Sequence, residues 1–245
     1  HTGGAGGGMI FKTRGRNYYL QSVQFRGTGP DNDLVAIVFD VTGLPDTAKV
    51  HEVARIRNAE YRGGSHESFT YKHSDGRAIF MTTVGTPPKY GRFANMYDLD
   101  KLIAGDPRQG LIGPVPVPED TRMTYNTFEG YHDMYAAYDP AAKQDKFYGA
   151  GWAGYFAYDI TKPEEPRLIA TITGVSGVDL AHTFMVDPTG RYAVTETETQ
   201  YQPIRIFDLK PGLDGTVKTI SRPIGAWTAR WQGLPHNHEV RWPYV

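Results

Sequence analysis

The chain has 245 residues, with 26 basic and 27 acidic side chains, a formal net charge of -1 and 40% hydrophobic residues. That balance argues against a nucleic-acid partner, which would demand a basic surplus or patch, while the apolar share is enough for a sizeable core. The absence of cysteine excludes disulfides, thiolate metal sites and cysteine nucleophiles, and leaves the redox compartment open.

Along the chain, "HTGGAGGG" at residues 1–8 reads as a flexible Gly-rich N-terminus. It has neither the basic start nor the apolar stretch of a signal peptide, and it lacks the strand and Lys-Ser/Thr ending of a phosphate loop. The longest apolar run, "LVAIVF" from Leu34, is too short to cross a bilayer as a helix, so no transmembrane segment is expected. The 28 Gly, 17 Pro and 16 Tyr are spread throughout, which predicts many short strands joined by turns. Helical periodicity is scarce, and "NMYDLDKLIAG" from Asn95 is the best candidate for a short helical turn.

An internal repeat is the strongest signal. Four segments align on an aspartate: "AIVFDVTGLPDTAKVHEVARI" at Asp40, "FANMYDLDKLIAGDPRQGLIGPV" at Asp98, "GYFAYDITKPEEPRLIATI" at Asp159 and "PIRIFDLKPGLDGTVKTI" at Asp208. The spacings are 58, 61 and 49 residues, which suit a four-stranded propeller blade. Within a unit the expected order is a histidine and first strand, a turn ("HSDGR", "DPAAKQDK", "DPTGR"), and a second strand ("AIFMTT", "FYGAG", "YAVTETE"). A third strand ending in the aspartate, a Pro- or Gly-rich turn and a fourth strand complete it. The aspartates themselves read as turn caps, and a calcium role finds no supporting ligand spacing.

These segments resemble the LVIVD-repeat β-propeller family, most closely in "GYFAYDITKPEEPRLIATI", "IRIFDLKPG" and the "HNHEV" start at His236. The likeness runs from about Asp33 to the end. It implies an all-β fold, a β-propeller of four-stranded blades in one domain over residues 1–245, with an extracellular or periplasmic address. More distantly the chain is similar to selenium-binding proteins and methanethiol oxidases, propellers with a proposed histidine-bound metal; cysteine-dependent selenium chemistry is lost here. Four to five blades are expected in this stretch, part of a ring of seven. Natural sequence beyond Val245, or another chain, is expected to supply the rest.

The histidines keep one phase of the repeat. His66, His132 and His182 precede their aspartates by 32, 27 and 26 residues, and His238 begins the next unit. Pseudo-rotation would gather these at one end of the propeller axis, with His236 two residues before His238 as an extra ligand. Converging imidazoles make a site for copper, zinc or iron. The alternative is a structural set, each ring held by a neighbouring carbonyl, and the residues alone leave both open. The acids that follow, Glu67, Asp133 and Glu239, should alternate to the opposite strand face. His51 lies in the wrong phase, and His1 and His73 are expected at the surface. In "TETETQ" from Thr195, Glu196 and Glu198 share a face, read as a solvated one. Trp152, Tyr155, Phe156, Trp227, Trp231 and Trp242 are expected in core or inter-blade packing.

Two functions follow. One is an interaction or scaffold module with a histidine-lined metal site, binding a protein partner. The other is a metal-dependent oxidoreductase or hydrolase using the same histidines.

Overall fold

The repeat becomes four blades in a computed structural model, which describes residues 3–25, 29–86, 89–119, 130–152, 154–228 and 233–238. Each blade is a four-stranded antiparallel sheet whose strands lie side by side in chain order. The chain forms two compact units, His1–Pro116 and Val117–Val245, with two blades each.

In the first unit, blade one is β1 (Gly3–Thr13), β2 (Arg16–Phe25), β3 (Leu34–Asp40) and β4 (His51–Arg57). Gly3–Gly8, expected to be flexible, is instead the first half of β1. It pairs with β2 from Gly3↔Phe25 onward, with a register shift between Ala5 and Gly8. The Tyr19 ring lies close over Gly8, so a Cβ there would have to push that ring aside.

Blade two is β5 (Ser68–Lys72), β6 (Ala78–Thr82), β9 (Phe93–Asp98) and β10 (Leu111–Pro116), with a two-stranded ribbon of β7 (Gly85–Thr86) and β8 (Lys89–Tyr90) inserted before β9. The expected helical turn is α1 (Leu99–Ile103), which starts only once Asn95–Asp98 has finished β9. Asp98 caps it by accepting from the Lys101 backbone N–H. Leu20, Ala36, Val38, Ile56, Phe80 and Leu99 form the centre of the core of this unit. His73, expected at the surface, is only 2% exposed. Its turn folds over it, Asp75 N–H donates to Nδ1 (3.2 Å), and the ring meets Tyr71 edge-on.

In the second unit, blade three is β11 (Tyr131–Asp139), β12 (Gln144–Gly151), β13 (Gly154–Asp159) and β14 (Arg167–Thr173). Blade four is β15 (Ala181–Val186), β16 (Tyr192–Thr197), β17 (Ile204–Asp208) and β18 (Gly225–Trp227), with the single turn α2 (Lys210–Leu213) after β17. Tyr148, Tyr155, Ile172, Phe184, Ala193 and Phe207 share one buried cluster. Edge-on contacts of Phe184 with Tyr148 and Tyr155, at 5.3 and 5.5 Å between centroids, join the two blades. Trp227 departs from the expected packing and is 61% exposed, because β18 is the outer strand of its blade.

Each third strand ends on the repeated aspartate. Asp40, Asp159 and Asp208 accept from the N–H two residues on, at 2.9, 3.0 and 3.0 Å, and Asp98 from the N–H three residues on. The same carboxylates meet arginines: Asp40 and Asp159 accept from Arg16 and Arg167 on Oδ2, and Asp208 accepts from two Arg191 N–H groups, one on each oxygen. His1, Trp231, Glu239 and Trp242 lie outside the described residues. Among the described residues no helix is long and apolar enough to cross a membrane.

Candidate metal centre

The first strands of blades three and four each carry a histidine as their second residue, and each is interrupted there. In β11 the pairing passes from Tyr131↔Gly151 to Asp133↔Ala150, which leaves His132 as the extra residue. In β15 it passes from Ala181↔Thr197 to Thr183↔Glu196, which leaves His182 extra. Such a bulge breaks the simple alternation of faces and re-aims the side chain. The two imidazoles come to 4.0 Å between centroids, with planes 39° apart. The Asp133 carboxylate accepts from the Met134 N–H at 2.6 Å.

Glu198, just past the end of β16, closes the group. Its Oε2 lies 3.5 Å from His132 Nε2 and 3.8 Å from His182 Nε2. All three donor atoms lie within 4.8 Å of one another. Donors bound to one ion at about 2.0–2.1 Å sit about 3.3–3.6 Å apart at tetrahedral to trigonal angles, so small side-chain adjustments suffice. Two imidazoles and a carboxylate suit zinc, copper or iron. His236 stands beside them, its ring 4.5 Å from that of His182 and its Nε2 3.8 Å from Glu198 Oε1.

A second carboxylate lies deeper. Glu196 is 1% exposed, and its Oε1 is 3.6 Å from His238 Nδ1 and 4.0 Å from His182 Nδ1. Those separations are too long for direct hydrogen bonds. Nδ1 of His182 is hydrogen-bonded with Thr183 Oγ1 at 3.0 Å, and Nε2 on the other edge of the ring faces Glu198 at 3.8 Å. Tyr155 fixes the backbone here by donating its hydroxyl to the Glu196 carbonyl at 2.6 Å.

The structure thus brings His132, His182 and His236 around Glu198, with His238 against Glu196. His66 belongs to the first unit. It precedes β5 rather than lying in it, and its Nδ1 is 2.9 Å from Gln24 Nε2. The solvated face expected for Glu196 and Glu198 is corrected for Glu196, since Ala193–Thr197 on the inner strand β16 is buried without a break, whereas Glu198, just past the strand end, keeps 35% of its side chain exposed. Alternation in "TETET" already placed the two acids together. What was missing was that an inner blade strand has no wet face.

No protein-family profile matches the sequence, and no curated protein matches it. Solved structures do. A ctPRC2 complex with H3K27me3 and H3K27M superposes with a TM-score of 0.56 at 12% identity, over 84% of this chain and 37% of that one. An active polycomb repressive complex 2 in the basal state gives 0.53 at 11%, over 85% and 41%. Sqt1 of Chaetomium thermophilum, bound to the N-terminus of ribosomal protein L10, gives 0.51 at 12%, over 79% and 43%. The chain spans less than half the length of these propeller-type structures. The likeness establishes the β-propeller fold.

Proposed function

We propose that the protein is a propeller-type binding module built around a transition-metal centre, with His132, His182 and Glu198 as ligands and His236 as a fourth donor. The observation that supports this is the mutual approach of three donor atoms to within 4.8 Å, from residues that two separate bulges and a strand end bring together. A partner-binding role is supported by the fold, which in the similar structures occurs in complexes with other chains. Kinship with the LVIVD-repeat group and an extracellular or periplasmic address belong to the same reading and are supported by "GYFAYDITKPEEPRLIATI".

A metal-dependent oxidoreductase or hydrolase is the second reading. It is favoured by unequal burial: the side chains of His182 and His132 are 1% and 8% exposed, those of Glu198 and His236 35% and 49%. A centre closed on two sides and reachable on a third is how catalytic metal sites keep a position for water or substrate.

Elemental analysis tests both. The purified protein should carry or take up about one equivalent of zinc, copper or iron, and the His132→Ala, His182→Ala double variant should lose it while keeping its β-sheet circular dichroism. A native protein that takes up none of these ions from stoichiometric solution overturns the metal centre.

A further inference from the structure

The strands that begin with the metal ligands end beside a second cavity. His132 and His182 are the second residues of β11 and β15, whereas Asp139 closes β11 and Pro188 follows β15. At these later ends, wholly within the second unit, lies a cavity of ≈460 Å³ whose wall includes Tyr135, Tyr138, Asp139, Tyr148, Asp187 and Pro188. That volume falls in the range of small-molecule sites, about 300–1,000 Å³. At about 3.3 Å per residue, Tyr138 stands about 20 Å along β11 from His132, so the cavity is separate from the metal ligands.

One buried polar group in this wall is left without a protein partner. Tyr148 is 1% exposed, yet among the described residues no hydrogen bond reaches its hydroxyl. Such a group costs stability unless something else meets it. A Cβ on Gly190 would stand 3.5 Å from both the Tyr148 oxygen and Asp139 Oδ2, so phenol and carboxylate converge on one point. Burial foremost, then Asp139, Tyr135 and Asp187, push the phenol well above its usual range, so it stays protonated. The two carboxylates are unequally neutralised. Asp139 accepts from the Ala141 and Ala142 N–H groups and from Lys146 Nζ at 2.6 Å, whose charge cancels its own. Asp187 accepts from neutral groups, the N–H of Thr189, Arg191 and Tyr192 and the Thr189 hydroxyl. The Arg191 guanidinium is committed to Asp208. One negative charge therefore remains, and among the described residues no Lys, Arg or His lines the cavity. The tyrosine rings add to this, since an aromatic face attracts a cation within about 6 Å. Those of Tyr135 and Tyr148 stack at 6.2 Å between centroids, and Tyr138 is 45% exposed.

We infer that this cavity binds an organic ammonium ion with an apolar body, its N–H groups donating to the Tyr148 oxygen and its charge set against the tyrosine rings and Asp187. The inference stands apart from the metal reading. Benzylammonium, benzyl alcohol and benzoate share a ring and differ in charge, so calorimetric titration of the native protein with each reads the preference. Benzylammonium should bind at least about tenfold tighter than benzyl alcohol, and benzoate should not bind. The His132→Ala, His182→Ala double variant should keep that order, which removes the metal ligands from the result. Tyr148→Phe keeps the ring and should weaken benzylammonium about tenfold, as loss of a hydrogen bond to a charged group implies. Without ligand it should melt no lower than the native protein, because no protein partner is lost. Tyr138→Ala, at an exposed position, should weaken benzylammonium about threefold. Lysine capped as its N-acetyl methylamide identifies the source of the ammonium group: tighter binding than benzylammonium points to a partner's side chain, weaker binding to a free amine, and both uphold the site. No preference for the cation, a preference lost with the two histidines, or unchanged affinity in the tyrosine variants overturns it. So does a Tyr148→Phe protein that is destabilised or unfolded without ligand.

Discussion

Glu196 is the buried carboxylate beside the proposed metal centre. Its carboxylate is 1% exposed and lies 3.6 Å from His238 Nδ1 and 4.0 Å from His182 Nδ1, which is itself hydrogen-bonded with Thr183 Oγ1. Carboxylates in that position set the tautomer and orientation of the rings that bind metal. Glu196→Gln keeps the shape and removes the charge. It should weaken metal binding by about 10- to 100-fold, measured by competition with a chromophoric chelator, and should alter the visible spectrum of the cobalt-substituted protein. A merely structural glutamate would lower thermal stability and leave both readouts in place. Glu198→Gln should act more strongly, because it removes a donor oxygen rather than a neighbour of one. Of the proposed site, the phase of the repeat singled out His132 and His182 together with His66, which lies in the first unit beside Gln24, whereas the glutamates were visible as a pair and read as solvated. The alternation that groups Glu196 with Glu198 cannot report that one is buried while the other, past the strand end, stays part-exposed.

At the scale of elements, the β11–β12 pair carries the site and depends on a glycine. The Tyr131 ring lies where a Cβ on Gly149 would stand, and Phe147 crowds the same point. Tyr131 is 1% exposed and meets Phe147 edge-on at 5.2 Å between centroids. Gly149→Ala must push one ring aside, so it should cost about 1–3 kcal/mol of stability, read from urea unfolding, and should disturb His132 next to Tyr131. An unchanged midpoint with full metal affinity would show that the ring moves freely. The strand order of each blade could be read from the Asp-Pro and Asp-Gly turns and the repeated aspartates, and β3, β9, β13 and β17 do end on them. The bulges could not be read. Nothing in "YHDM" or "AHTF" distinguishes a regular strand start from one that ejects its second residue, since the difference lies in pairing with β12 and β16. Nor did "GGAGGG" announce a strand, because glycine carries no side-chain pattern and β1 is fixed by β2.

For the molecule as a whole, the repeated aspartates tie stability to pH. Burial pushes the Asp40 and Asp159 carboxyls up, but Thr42 and Arg16 for the one, and Thr161 and Arg167 for the other, hold them below the usual range. Arg191 is the main cause of the same depression at Asp208. Groups with depressed folded values contribute stability above their unfolded pKa, about 3.9, and lose it as the pH falls through the folded value. The melting temperature should therefore hold above about pH 5 and drop progressively below about pH 4. Asp208→Asn should lower the neutral plateau slightly and flatten the acid decline, and a parallel shift at every pH would contradict the linkage. The bulges at His132 and His182 have a different consequence. Since each imidazole stands on a residue surplus to the ladder, the backbone bonds that hold the blades together do not pass through the donors. Framework and chemistry are separable, so exchanging an imidazole for a thiolate or carboxylate should redirect the choice of ion while the sheets keep their register. Such a scaffold is open to retooling by single substitutions.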